Sequence, residues 1–126
     1  MSNSLTLDLE QNSPLADLCI VDLIKKYAQK NPESLAIIAS NRTPLTYIRL
    51  YNHIEDIVTK LNSLGVGHND RVAIALPNGP EMAVAFLSIA AAATCAPLNP
   101  AYRADEFEFY LSDLKAKALI VHVTAQ

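Results

Sequence analysis

The sequence has 126 residues, with 10 lysines and arginines against 13 aspartates and glutamates, so its formal charge is −3. Hydrophobic residues make up 51% and charged residues 18%, a balance typical of globular proteins and unlike that of highly charged disordered chains. A domain of this length buries roughly two-thirds of its unfolded surface, which is enough for one core. The mild acidity argues against nucleic-acid binding, because nucleic-acid-binding domains usually carry a basic stripe.

Glycine and cysteine exclude several kinds of site. The three glycines (Gly65, Gly67 and Gly79) cannot form either a G-x-G-x-x-G turn or a G-x-x-x-x-G-K-[ST] phosphate loop. Two cysteines, in apolar surroundings, encode no disulfide framework, which favours a reducing, cytoplasmic compartment. The three histidines have no metal-ligand spacing, so we predict no metal site. The apolar run at residues 82–98 is too short for a membrane span.

The first 46 residues predict a helix and a small hairpin after a flexible segment. We expect residues 1–14 to be flexible and the α/β domain to occupy residues 15–126. An apolar stripe predicts a helix over residues 15–30, which ends at Asn31 because the residue before a proline avoids helical geometry. Residues 35–39 and 44–46 form two short extended runs around a turn, which indicates a hairpin.

The next segment carries the clearest helical periodicity. Apolar residues recur every three or four positions over residues 46–64. Thr46 stands where an N-cap belongs, and Gly65 where a left-handed residue ends a helix. We therefore predict a helix between these two residues.

The rest of the chain alternates apolar strands with helices. We predict buried strands at residues 71–76, 94–98 and 118–123. The helix before Ala93 begins with an Asn78–Glu81 capping box, and its apolar surface should be covered on both sides. A second helix within residues 102–114 directs Phe107, Tyr110 and two leucines inward. This order predicts an α/β fold, a parallel-sheet layer sandwich of βαβ units with a small N-terminal hairpin and helix.

One loop is a candidate functional site. It joins the second strand to the following helix, at the carboxyl edge of the predicted sheet, where open α/β sheets bind ligands. Two prolines stiffen it, and Arg103 is a fixed charge suited to a phosphate group. The residue pattern leaves a second interpretation open, a rigid connection that carries a surface arginine.

Four segments in order resemble the start of the adenylate-forming superfamily, which includes acyl-CoA synthetases, luciferases and peptide-synthetase adenylation domains. They are LTYIRL at 45–50, DRVAIALPN at 70–78, IAAAATCAPLNP at 89–100, and EFEFYLSD with KAKALIV over 106–121. The chain departs from the family pattern at Arg49, where the family usually has glutamate, and near Ala92, where glycine is common. Arg49 loses half of a capping box, at a cost of roughly 0.5–1 kcal/mol.

The resemblance implies a two-step ligase. A carboxylic acid and ATP give an acyl-adenylate and pyrophosphate, and coenzyme A then displaces AMP. The complete enzyme would use ATP, Mg²⁺ and coenzyme A, with a small carboxylic acid as substrate. The family's phosphate loop, ribose-binding aspartate and catalytic lysine match nothing here, so we expect no catalytic residue and no bound cofactor in this chain. The resemblance also places Asn99, Pro100, Ala101 and Arg103 on the side where coenzyme A binds.

The expected function is therefore that of an N-terminal, truncated portion of an acyl-CoA synthetase-like ligase, inactive alone. The alternatives are a stand-alone α/β interaction module, a split-enzyme partner without activity of its own, or an unrelated small α/β binding protein. A sheet cut after its third strand exposes an unpaired edge, so we also expect self-association through that edge.

Overall fold

A computed structural model describes residues 19–122. The predicted flexible segment, the first four residues of the predicted first helix and the end of the third strand lie outside this range. The elements in chain order are α1 (Ile20–Lys30), β1 (Leu35–Ile37), β2 (Leu45–Thr46), α2 (Tyr47–Ser63), β3 (Arg71–Ala75), α3 (Pro80–Ala92), β4 (Thr94–Pro97), α4 (Ala104–Leu114) and β5 (Ala118–Val121). No helix in this range is long and apolar enough to cross a membrane.

The three strands β3, β4 and β5 form one parallel sheet. Their order is β4-β3-β5, and Val72 of β3 lies opposite Cys95 of β4 and Ala118 of β5. Strands β1 and β2 pair antiparallel in a separate two-stranded sheet. The predicted α/β class, the parallel arrangement and the hairpin are therefore confirmed.

The central strand is buried on both faces, but the outer strands are not. Residues 72–76 are all buried, and Val72 and Ile74 pack with Ile89 of α3 in the main core. In β4, Thr94 and Pro97 are exposed, and in β5 every second residue is exposed. The prediction that all three strands are buried is thus wrong for β4 and β5, because both are edge strands in the described sheet.

Each face of the sheet takes one of the two connecting helices. Successive side chains of a strand point to opposite faces, so Ala73 and Ala75 face away from α3. Right-handed connections place α4 on this second face, because β4 and β5 lie on opposite sides of β3. Arg71 also donates a hydrogen bond to Leu114 O, at 3.0 Å, which ties β3 to the end of α4.

Helices α1 and α2 form a second core with the hairpin. Its buried centre consists of Ile24, Leu50 and Ile54. Val84 and Leu87 of α3 pack against the same cluster, so α3 joins the two cores. Cys19, expected in apolar surroundings, is instead exposed just before α1, where its thiol donates to Asp22.

Helix α2 begins and ends as predicted. The Thr46 hydroxyl accepts a hydrogen bond from Arg49 N, at 3.3 Å, so half of a capping box is present. Gly65 has φ +86°, and Val66 N donates to Leu61 O at 2.9 Å, which closes the helix. At Ala92, near the position where glycine is common in the family, the methyl group fits within the main core.

Helix α3 differs from its prediction in two respects. Its N-cap is Gly79, not Asn78, because φ +154° turns the chain there and Ala83 N donates to Gly79 O. Its surface is also not covered all round, since Ala83, Phe86 and Ala90 are exposed along one face. The alanine-rich sequence lets α3 pack closely against neighbours on its buried side only.

Candidate functional site

A small open cavity lies at the carboxyl ends of β3 and β4. Its volume is about 380 Å³, and its lining comes from the turn after β3, the first turns of α3 and the loop after β4. Of the predicted site residues, Asn99 and Pro100 line this cavity, whereas Ala101 and Arg103 do not. The structure thus brings two of the four predicted residues to one site at the predicted edge.

Local hydrogen bonds fix the shape of the loop after β4. Leu98 N donates to Ile74 O at 2.7 Å, which holds the start of the loop against β3. The Asn99 side-chain oxygen accepts from Ala101 N at 2.9 Å, and Asn99 O accepts from Tyr102 N at 3.1 Å. Asn99 therefore builds the turn itself, a role typical of asparagine in loops.

Arg103 lies just before α4, with its side chain exposed. Its backbone N–H donates to Glu106 Oε1 at 2.9 Å, so Glu106 caps the start of the helix. Within residues 19–122 no carboxylate lies within 4.0 Å of the Arg103 guanidinium. The guanidinium can therefore reach a phosphate group beside the loop.

The sequence did not predict an aromatic cluster that lies between the loop and α4. Tyr102 stacks on Tyr110, with ring centroids 5.0 Å apart, and meets Phe107 edge-on at 5.8 Å. The pKa of Tyr102 is raised, mainly by partial desolvation and to a smaller extent by the side-chain hydrogen bond with Tyr110. Tyr110 was predicted to point into the core, but it is exposed on α4. The helical spacing of the α4 residues does not predict that Tyr110 stacks on Tyr102, because Tyr102 lies in the loop before the helix.

A larger groove lies on the other side of α3. Its volume is about 700 Å³, and it is bounded by the hairpin, α2, α3 and one residue of β5, Ile120. Its floor is apolar, with charged side chains at the rim. At the rim Arg42 donates to Glu81, which holds the pKa of that carboxyl below its usual range. Glu81 thus pairs with the hairpin and not with Asn78 as predicted.

Among the described residues no group of three histidine, cysteine, aspartate or glutamate side chains could hold a metal ion. His53 lies on α2, His68 in the turn before β3 and His122 after β5. Beside the small cavity, the described part of the chain offers the turn built by Asn99 and one exposed cation, Arg103.

These features define a parallel α/β domain with a stiff, cation-bearing loop at the carboxyl edge of its sheet. Comparisons with known proteins then give the family. The model for AMP-binding enzymes matches residues 24–126, so the chain belongs to the AMP-binding enzyme family. Family membership accounts for the order of the four sequence segments.

Individual relatives are much longer than this chain. It is 44% identical over 100 residues to an oxalate–CoA ligase of Arabidopsis thaliana, covering 78% of this chain and 20% of the relative. It is 41% identical over 92 residues to an oxalate–CoA ligase of Saccharomyces cerevisiae, covering 68% and 17%. The chain thus spans about a fifth of the length of the Arabidopsis relative.

A solved structure agrees in fold. A fatty acyl CoA synthetase of Mycobacterium tuberculosis superposes with a TM-score of 0.72 at 29% identity, covering 81% of this chain and 21% of that chain. The sheet and helices of this chain are therefore arranged like the matching part of that acyl-CoA synthetase.

Proposed function

We propose that this chain supplies the N-terminal lobe of an ATP-dependent acid–CoA ligase and is inactive alone. In the complete reaction a carboxylate oxygen attacks the α-phosphorus of ATP and pyrophosphate leaves. The coenzyme A sulfur then attacks the acyl carbon and AMP leaves. The observation that supports this most directly is the similarity to two oxalate–CoA ligases across most of this chain. ATP, Mg²⁺ and coenzyme A would serve the complete enzyme.

The inactivity follows from what the sequence lacks. The phosphate loop, ribose-binding aspartate and catalytic lysine that the family resemblance implies for the complete enzyme match no residues of this chain. We expect the purified chain, given ATP, Mg²⁺, coenzyme A and a panel of carboxylic acids, to release no pyrophosphate above the rate without protein. The Arabidopsis oxalate–CoA ligase with oxalate is the positive control. Pyrophosphate release by this chain would contradict the proposal.

Within that function, the loop of Asn99, Pro100, Ala101 and Arg103 would face the nucleotide of coenzyme A. Its place at the carboxyl edge of a parallel sheet supports this assignment. The exposed Arg103 guanidinium supports it further, since a bidentate contact with a phosphate suits arginine better than lysine.

A titration with coenzyme A tests the loop assignment. In the isolated chain we expect weak binding that shifts the amide resonances of Asn99 and of residues 101–103. Replacing Arg103 with alanine should weaken binding about tenfold, the effect of losing one charge-assisted contact. Arg49→Ala is the matched control, because Arg49 lines the groove on the other side of α3. Equal losses in both variants would refute the assignment.

The split-enzyme alternative has an observation in its favour: among residues 19–122, no strand pairs with the outer side of β5. Such an edge would let the lobe associate with a separate polypeptide that carries the remaining residues. On its own it would pair with a second copy. We expect light scattering to show dimers or larger species as the concentration rises. A strict monomer at millimolar concentration would argue against an accessible edge.

A further inference from the structure

The groove between the hairpin, α2 and α3 has the size of a small-molecule site. Its volume is about 700 Å³, and ligand pockets usually measure about 300–1,000 Å³. Ile57, Val84 and Ile89 contribute apolar side chains to its floor. Ser88 also lines the groove, but its hydroxyl already donates to Val84 O, at 2.7 Å. A ligand that lies along this floor must therefore have an apolar body, because a polar group there would lose its hydrogen bonds with water.

The rim of the groove carries one arginine without a carboxylate partner among residues 19–122. Arg42 and Arg49 both line the groove, and the Arg42 guanidinium donates to Glu81. Within the described part of the chain, no carboxylate lies within 4.0 Å of the Arg49 guanidinium. Arg49 is exposed, so its guanidinium can bind a carboxylate from solvent through charge-assisted hydrogen bonds.

The charges of the rim are arranged for a ligand with a single anionic head. Near the hairpin, Arg42 and Arg49 face one carboxylate, Glu81, so this end of the groove has a net positive charge. Asn52, His53 and Asp56 continue the rim along α2. Asp56 lies about 10 Å along the helix from Arg49, where it would repel a second carboxylate. An uncharged chain that leads away from Arg49 fits this distribution.

We propose that the groove binds a monocarboxylate with an unbranched apolar chain, with its head on Arg49 and its chain on the floor. Arg49 and Ile57 lie about 12 Å apart along α2, so a chain of medium length spans the floor. No residue lines both this groove and the small cavity at the carboxyl edge of the sheet. The site is therefore separate from the loop of the proposed function, and the inference does not depend on that function.

Two amphiphiles with the same chain and opposite charges test the proposal on the purified chain. Decanoate and decyltrimethylammonium are titrated below the concentrations at which they form micelles, and amide resonances report binding. We expect decanoate to shift the resonances of residues that line the groove and to bind about tenfold more tightly, the effect of one charge-assisted contact. Equal binding of the two amphiphiles would overturn the proposal, as would decanoate shifts confined to other surfaces or no binding at all.

A variant of Arg49 tests the position of the head group. Arg49→Ala should weaken decanoate binding about tenfold and leave the binding of decyltrimethylammonium unchanged. Lys60→Ala is the matched control, because Lys60 is also an exposed cation of α2 but does not line the groove. Equal losses of decanoate binding in the two variants would mean a general attraction to positive charge and would refute the site.

A pair of α3 variants tests the position of the chain. Ala85 lines the groove, whereas Ala83 lies on the exposed face of the same helix. Ala85→Leu should weaken decanoate binding about tenfold, because the leucine would occupy space that the chain needs, and Ala83→Leu should leave it unchanged. Decanoate binding that is the same in both folded variants would contradict the proposal. If Ala85→Leu does not fold, the variants of the exposed Arg49 and Lys60 decide between the two outcomes.

Discussion

Replacing Ile54 with alanine is expected to lower the free energy of unfolding by about 2–5 kcal/mol. Ile54 is completely buried and packs with Ile24 and Leu50, where α1 and α2 meet. The loss combines the transfer free energy of the removed methyl and methylene groups with the cavity that they leave. A domain of this size has a total stability of about 5–15 kcal/mol, so the loss would be a large fraction of that total.

Ile38→Ala is the matched control, since the same atoms are removed from a side chain that is 70% exposed. We expect its effect to stay within about 0.5 kcal/mol. Urea unfolding followed by circular dichroism gives both values, provided that the denaturant slope is unchanged. Similar losses in the two variants would mean that the α1–α2 contact is not a packed core.

Element types were predictable where a local pattern decides them. The apolar spacing of α2 and the glycine after it determine the limits of that helix, because capping and left-handed geometry depend on adjacent residues only. The parallel sheet also followed from the alternation of strands and helices. These features need no knowledge of distant contacts.

Burial of the outer strands was not predictable, because it depends on which residues lie beside them. The composition of β5 is that of a buried strand, yet every second residue is exposed. The Arg42–Glu81 pair joins residues 39 positions apart, and no spacing rule connects them. The groove was not predictable for the same reason, because its walls come from four segments that are separate in the sequence.

The candidate site was predictable in position but not in detail. The rule for open α/β sheets locates the loop at the carboxyl edge, and Asn99 and Pro100 do line the cavity there. Arg103 does not line it, and the sequence did not predict the hydrogen bond from Ala101 N to the Asn99 side chain within the loop. Hydrogen bonds of this kind depend on the loop's local geometry, so sequence spacing does not predict which residues line the cavity.

Replacing Ala73 with leucine is expected to lower the free energy of unfolding by about 1–3 kcal/mol, the usual cost of overpacking. Ala73 is completely buried at the centre of β3, between Ala96 of β4 and Leu119 of β5. Three added carbon atoms on the face away from α3 would have to displace α4 or distort the strand.

Ala83→Leu is the control, because Ala83 lies on the exposed face of α3. Alanine and leucine both favour helices, so the substitution should not disturb α3. We expect this variant to unfold within about 0.5 kcal/mol of the parent chain. Urea titrations of the two variants compare the same added volume in a buried and an exposed position. If Ala73→Leu were as mild as the control, α4 would cover the sheet only loosely.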